Sequence, residues 1–269
     1  MGFTMAYNNY WKERSLPYKP GQAAPFKVSR SKIELYKQCQ RCFWLDVRLK
    51  IKRPDSPPFN INKAIDELFK KEFDTYRAKG EPHPMMTDNQ IKAIPYTHEQ
   101  LDDWRHNFTG VVSIHQPTNL HIFGAVDDLW IDEDGQVIVV DYKATAKDKE
   151  VDISSGWQIS YKRQMEIYQW LLRQNGLPVA NTGYFVYANG RSDLEGFFNK
   201  VEFRTKVIPY TGDDSWVEPT LIEMKACMDG DMPPVGDSIM GGECTYCAYA
   251  RERMKLTMKA LQARQAKKS

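Results

Sequence analysis

The sequence predicts one mixed α/β (α+β) domain, and three observations carry that expectation. Two runs rich in β-branched and aromatic residues, LHIFGAVDDLWI and QVIVVDYKA, are joined by Asp132-Glu133-Asp134-Gly135, a hairpin signal. Helical patterns flank this hairpin, in NINKAIDELFKKEFDTYRAKG before it and from about Gln158 to Gln174 after it. The chain has 269 residues, 42% hydrophobic and 27% charged, which suits a soluble globular protein with a substantial core.

In chain order, residues 1–27 carry Pro17, Pro20, Gly21 and Pro25 without sustained periodicity, which predicts a flexible N-terminal arm ahead of a domain over 28–250. Ser31 is placed to cap a helix through IELYKQCQRCFWLDV, with Ile33, Tyr36, Phe43 and Val47 at helical spacing. PDSPP, Pro54 to Pro58, then breaks the chain. The next helix presents Ile61, Ile65, Leu68, Phe69 and Phe73 as an apolar stripe and stops at Gly80. A shorter helix is expected from Thr97, followed by the hairpin. After the helix that ends near Gln174, strands are expected in GYFVYANG and FNKVEFRTKVI, and a helix in VEPTLIEMKACMDG. A basic helical tail closes the chain over 251–269.

The net charge of +2 is close to neutral, so overall charge does not argue for a nucleic-acid partner; a local basic face would have to. No run of about eighteen apolar residues is present, and MGFTMAYNNYWKER lacks the basic-then-apolar order of a secretory signal. The expected location is cytoplasmic, with no membrane partner. In a reducing compartment the five cysteines are expected as free thiols, available to metal, and not as a disulfide framework.

The chemistry concentrates at VIVVDYKAT. If Glu133, Asp134 and Gly135 form the hairpin loop, with Gly135 left-handed, then Asp132 pairs with Gln136 and Asp127 comes to lie opposite Asp141. Strand alternation puts Lys143 on the same face as Asp141. Facing carboxylates about 5 Å apart destabilise one another unless a positive charge joins them, and a divalent cation meets that need. Carboxylates with waters and substrate phosphate suit Mg²⁺ or Mn²⁺ better than zinc, and a neighbouring lysine would help to stabilise charge on a phosphate. Those parts describe phosphodiester hydrolysis. Asp-x-Lys at a strand end is more often a solvated salt bridge; the second carboxylate in register, with the apolar run that places the group at a sheet's end, is what sets this one apart.

GAVDDLWI, VVDYKA and QMEIYQWLL resemble, in order and spacing, the G-x-x-D, D-x-K and Q-x-x-x-Y motifs of the RecB-type branch of the PD-(D/E)xK nuclease superfamily. SRSKIELYKQCQRCFWL resembles that branch's N-terminal S-x-x-x-x-Y-x-x-C segment, and CTYCAY its C-terminal cysteine cluster. The resemblance implies a restriction-endonuclease-like mixed sheet flanked by helices. It implies that Asp127 and Asp141 bind the catalytic metal, that Lys143 is the catalytic lysine, and that the Tyr142 carbonyl faces the metal. Gln164 and Tyr168 match Q-x-x-x-Y; one helical face carries both, where they would order the site, although Tyr161, Met165 and Tyr168 also form an ordinary packing stripe. Where the family often has a metal-binding histidine, KAIDEL offers Asp66, either an oxygen ligand or a solvated helix residue.

Cys39-x-x-Cys42 and Cys244-x-x-Cys247 are two CxxC pairs roughly two hundred residues apart, a pattern that favours a four-thiolate metal site joining the N- and C-terminal segments. Cys39 and Cys42 at i and i+3 of a helix would project to one side. Cys227 has no such partner and is expected as a small buried hydrophobe. The iron-sulfur nucleases of the resembled branch use one N-terminal and three C-terminal cysteines; here Arg253 stands at the third C-terminal position, and Cys42 supplies the fourth thiolate. The resemblance implies a [4Fe-4S] cluster, whereas two-plus-two spacing is also that of structural zinc.

The expectation is a metal-dependent DNA nuclease acting on single strands or duplex ends in repair, recombination or defence, with DNA as partner and a helicase or another repair or defence protein beside it. The alternative is a non-catalytic nucleic-acid-binding module of the same fold. Arg30, Lys32, Lys37, Arg41, Lys70, Lys71, Lys162 and Arg163 are candidates for a basic DNA path, or simply solvated helix residues.

Overall fold

The aliphatic run Val137-Ile138-Val139-Val140 sits in the middle of a five-stranded sheet, and both faces of it are covered. The computed structural model describes residues 16–54, 60–154, 156–236 and 242–267. Strand β1 (Phe26–Ser29) leads into helices α1 (Arg30–Gln38) and α2 (Gln40–Leu49). Helix α3 (Asn60–Lys79), the short α4 (Pro84–Asp88), strand β2 (Ala93–Pro95) and helix α5 (Leu101–Arg105) follow. Then come β3 (Val111–His115), β4 (Leu120–Gly124), β5 (Asp128–Asp132) and β6 (Val137–Thr145). Helix α6 (Ile159–Gln174), strands β7 (Thr182–Gly190) and β8 (Phe203–Thr211), and helices α7 (Val217–Asp229) and α8 (Thr245–Ala266) follow in turn.

The large sheet has the order β2-β5-β6-β7-β8, with β6 and β7 parallel and the other pairs antiparallel. A small sheet, β1-β4-β3, pairs β1 parallel to β4. Strand alternation divides the core in two. Val137 and Val139 pack with Met165, Leu171 and Leu172 of α6, whereas Ile138, Val140 and Tyr142 pack with Phe69 and Phe73 of α3. Burial on both faces explains why β6 reads as a continuous apolar run and not as an alternating one. Among the described residues no helix is long and apolar enough to cross a membrane.

Several expected elements differ. The run LHIFGAVDDLWI is not one strand: β4 ends at Gly124 in the small sheet and β5 starts at Asp128 in the large one, while Val126 leaves both ladders and donates its N–H to the Trp104 carbonyl at 3.0 Å. The expected helix from Ser31 is two helices, starting after Ser29, because Cys39 is extended at φ −166° and ψ 110°. On α3, Phe69 and Phe73 are buried as expected, but Ile61 and Leu68 are exposed: the stripe that meets the sheet is narrower than the apolar pattern. Tyr18, within the expected arm, is buried, with its N–H on the Val47 carbonyl and its hydroxyl on Asp229. Residues 1–15 of that arm, and the breaker after Pro54, lie outside the described residues. The expected tail continues α8 without a break.

Candidate metal and catalytic site

The hairpin sets the geometry of the site. The Asp132 carbonyl accepts the Gly135 N–H at 3.1 Å, Gly135 has φ 77°, and Asp132 is bonded to Gln136, so Asp128 pairs with Val140 and Leu129 with Val139. Counting one residue further along each strand brings Asp127 opposite Asp141, the register expected from the loop. Asp127 Oδ2 accepts the Tyr142 N–H at 3.0 Å, and the Asp127 carboxylate lies beside that of Asp141. Lys143 points the same way, and its ammonium pairs with Asp141 Oδ2. It also stands 4.8 Å from the centre of the Tyr161 ring.

Burial dominates the electrostatics here. Asp141 has no exposed surface; loss of water, with the Asp127 charge beside it, lifts its carboxyl to about 7 even though Lys143 pulls it down. Burial would lower the Lys143 ammonium, but Asp141 and Asp127 outweigh that and raise it. Asp66 is also raised, first by burial and next by the Asp127 charge, while Lys70 pairs with its Oδ2 at 2.7 Å.

Helix α6 closes the inner side. Gln164 Nε2 donates to Asp141 Oδ1 at 2.7 Å and lies 3.3 Å from the Tyr168 hydroxyl, so both Q-x-x-x-Y residues face the carboxylates. Tyr168 rests on Gly124, where a Cβ would come within 2.7 Å of the phenol ring. The glycine of G-x-x-D and the tyrosine of Q-x-x-x-Y are therefore two halves of one contact. A cleft of about 100 Å³ opens onto the group, lined by Asn62, Asp66, Lys143 and Tyr161 among others.

Two buried oxygens fit a divalent cation. Asp66 Oδ1 and Asp141 Oδ2 receive no well-directed hydrogen bond among the described residues, the second meeting only the Lys143 ion pair in addition to its carboxylate neighbour. A hard carboxylate oxygen without a hydrogen bond at an open cleft, as Asp66 Oδ1 is, suits Mg²⁺ or Mn²⁺.

Asp128 is a residue that sequence reasoning passed over. It is fully buried on the opposite face, where Arg77 and Arg105 donate to its Oδ1, the latter at 2.5 Å, and the Tyr142 hydroxyl donates to its Oδ2 at 2.7 Å. Tyr142 thus ties the faces together, its N–H on Asp127 and its phenol on Asp128. Burial, then the Asp128 charge, keep that phenol protonated. The only signal in the sequence is the doubled Asp-Asp.

The cysteines gather elsewhere. Cys39, Cys42, Cys244 and Cys247 are all buried, with their sulfurs within 4.8 Å of one another. Cys39 is the N-cap of α2 and its sulfur accepts the Cys42 N–H at 3.5 Å, so the pair sits at a helix start and not within a helix as expected. Cys227 stands apart, half-buried, its thiol pushed up to about 11 by burial. Arg253 is exposed on α8. Of the expected basic path, Lys32 pairs with Asp46, Lys70 with Asp66 and Arg163 with Glu34, while Lys37 and Lys162 lie over Trp216 and Tyr210.

The fold and site are of the kind that collects acidic oxygens and one ammonium at the end of a mixed sheet. The sequence model of the PD-(D/E)XK nuclease superfamily matches residues 54–251, and the chain belongs to that superfamily. The matched segment starts after Cys39 and Cys42. No curated protein matches the chain. The solved structure of SSO0001 is similar over 77% of this chain and 78% of that one, at 14% identity and a TM-score of 0.35.

Proposed function

We propose that this protein is a divalent-metal-dependent DNA nuclease of the RecB-type branch, an exonuclease on single strands or duplex ends, serving DNA repair, recombination or defence in the cytoplasm. The observation that carries the reading is the convergence of Asp127, Asp141, Lys143 and Gln164 at one strand end beside an open cleft. Asp127, Asp141 and Asp66, with the Tyr142 carbonyl, would hold Mg²⁺ or Mn²⁺. When bound, that ion supplies Lewis-acid polarisation of the scissile phosphate. Lys143 stabilises negative charge growing on the phosphate, and its raised pKa keeps it cationic for that role. Gln164 holds the Asp141 carboxylate in one orientation, and Tyr168 fixes the helix face from which Gln164 reaches.

A second cleft of about 420 Å³ is lined by Arg30, Lys32, Lys52 and Arg53 against Glu34 and Asp46, and this excess of positive charge supports a nucleic-acid substrate. Arg30 also flanks Gly124 beside Tyr168, which joins the basic cleft to the carboxylate site. The four cysteines are a structural centre; the resemblance implies a [4Fe-4S] cluster there, and the pairing in two CxxC units admits zinc. A helicase or another repair or defence protein is the expected partner.

The test is cleavage of end-labelled DNA in Mg²⁺ or Mn²⁺. Linear DNA should be shortened and covalently closed circles spared, and Asp141→Ala and Lys143→Ala should each abolish degradation. Activity that persists in both variants overturns the assignment; salt-sensitive DNA binding without cleavage under any divalent ion points to the non-catalytic module.

A further inference from the structure

We propose that the cysteine site holds a single zinc ion in tetrahedral thiolate coordination, and that the four-iron cluster implied by the RecB-type resemblance does not fit it. Zinc–thiolate bonds are about 2.3 Å long, so sulfurs around one tetrahedral ion stand about 3.8 Å apart. The sulfur contacts are 3.8 Å for Cys39 to Cys247, 3.8 Å for Cys42 to Cys244 and 3.6 Å for Cys42 to Cys247, and none of the four is more than 4.8 Å from another. A [4Fe-4S] cube places a separate iron beneath each thiolate and holds the thiolates roughly 6 Å apart. Admitting it would require the two helix starts to separate.

The surroundings resist that separation. A Cβ at Gly236 would lie 3.2 Å from both the Cα and the sulfur of Cys39, so the chain is already closed against the site at that point. The Gly236 carbonyl also accepts the Cys244 N–H at 2.8 Å, which ties the C-terminal pair to the same segment. Each pair has the same placement: Cys39 is the N-cap of α2 with Cys42 three residues on, and Cys244 is the N-cap of α8 with Cys247 three residues on. Two helix N-termini therefore point their positive ends at the sulfurs. Arg53 adds a donor to Cys244 at 3.5 Å and stacks 4.5 Å from the Tyr246 ring. These positive groups offset the double negative charge that four thiolates leave on one zinc ion. With four protein ligands the coordination is complete, as in structural zinc sites, with no position open for substrate.

The inference stands apart from the nuclease reading, and its test does not depend on DNA cleavage. Full-length protein is produced in medium containing iron and zinc, purified anaerobically, and examined by elemental analysis and visible absorption. A colourless protein with about one zinc per chain supports the proposal. A brown protein with roughly four irons per chain overturns it, as does a protein that retains neither metal. Exchange with cobalt(II) supplies a second readout: intense visible bands of a tetrahedral tetrathiolate site are expected from the wild-type protein and should be lost in Cys42→Ser. Octahedral cobalt in the wild-type protein, or tetrathiolate bands unchanged in Cys42→Ser, would overturn the proposal.

Discussion

The carboxylate cluster is centred on one hairpin and the cysteine cluster joins segments roughly two hundred residues apart, and the protein balances their charges in opposite ways. Around the carboxylates, Lys143 pairs with Asp141, Lys70 with Asp66, and Gln164 and the Tyr142 N–H occupy further oxygens. Every one of those groups sits on an element already held by the main core. The sulfurs instead face one another, with Arg53 and two helix starts as their positive neighbours. The first site is carried by elements of the sheet and its covering helices; the second joins the start of α2 to the start of α8.

The sharpest break of that contrast is a pair of variants. Cys247→Ser should lower unfolding free energy by about 3–5 kcal/mol or more, since loss of a thiolate ligand takes with it the metal's contribution to folding. Asp141→Asn, which mimics the neutral carboxyl, should not lower stability at pH 8 and should raise it by about 2–4 kcal/mol in metal-free protein, while reducing DNA degradation by about 10³-fold or more, read by denaturant titration and a nuclease assay. Equal stability losses would erase the distinction.

Asp128→Ala comes next. It leaves Arg77 and Arg105 without their shared buried acceptor, and a loss of about 3–5 kcal/mol is expected by denaturant titration. Ion affinity, followed by Mn²⁺ titration, should also weaken, because Tyr142 loses the partner that fixes its peptide beside Asp127.

The carboxylate site should also write itself into the pH dependence. Asp141 is raised to about 7 from an ordinary value of 3.8, so the folded protein binds that proton more tightly than the unfolded chain. Its contribution is fully present below pH 4 and is lost as pH rises towards 7, a decline on the order of 2–4 kcal/mol in metal-free protein. Asp141→Asn should flatten that part of the melting-temperature profile. The smallest effect belongs to the basic cleft: Lys52→Ala should weaken DNA binding a few-fold and reduce the salt slope by about 1, measured by fluorescence anisotropy across salt concentrations.

Much of the carboxylate site was legible because its determinants are local. Gly135 fixes the loop, the loop fixes which residues face each other, and i, i+4 spacing brings Gln164 and Tyr168 to one side of α6. What escaped was set at long range. Four-residue β1 has no periodicity to detect and forms by pairing with β4, which lies some ninety residues later in the chain. The break at Cys39 interrupts an apolar pattern that reads as one helix, and it places that residue as the cap beneath the sulfur cluster. The role of Asp128 depends on arginines brought in by α3 and α5, which no window around the doubled aspartate contains.

That doubled aspartate has a consequence for how the strands find each other. If β5 slipped by one residue against β6, Asp128 would replace Asp127 at the cleft, and the strand end would keep the same charge. The slipped pairing would turn Asp128 away from Arg77 and Arg105, however, leaving the half-exposed Asp74 as the remaining carboxylate they share. Arg77 and Arg105, paired with Asp128 on the other face of the strand, therefore disfavour an alignment that the charges at the strand end alone would accept.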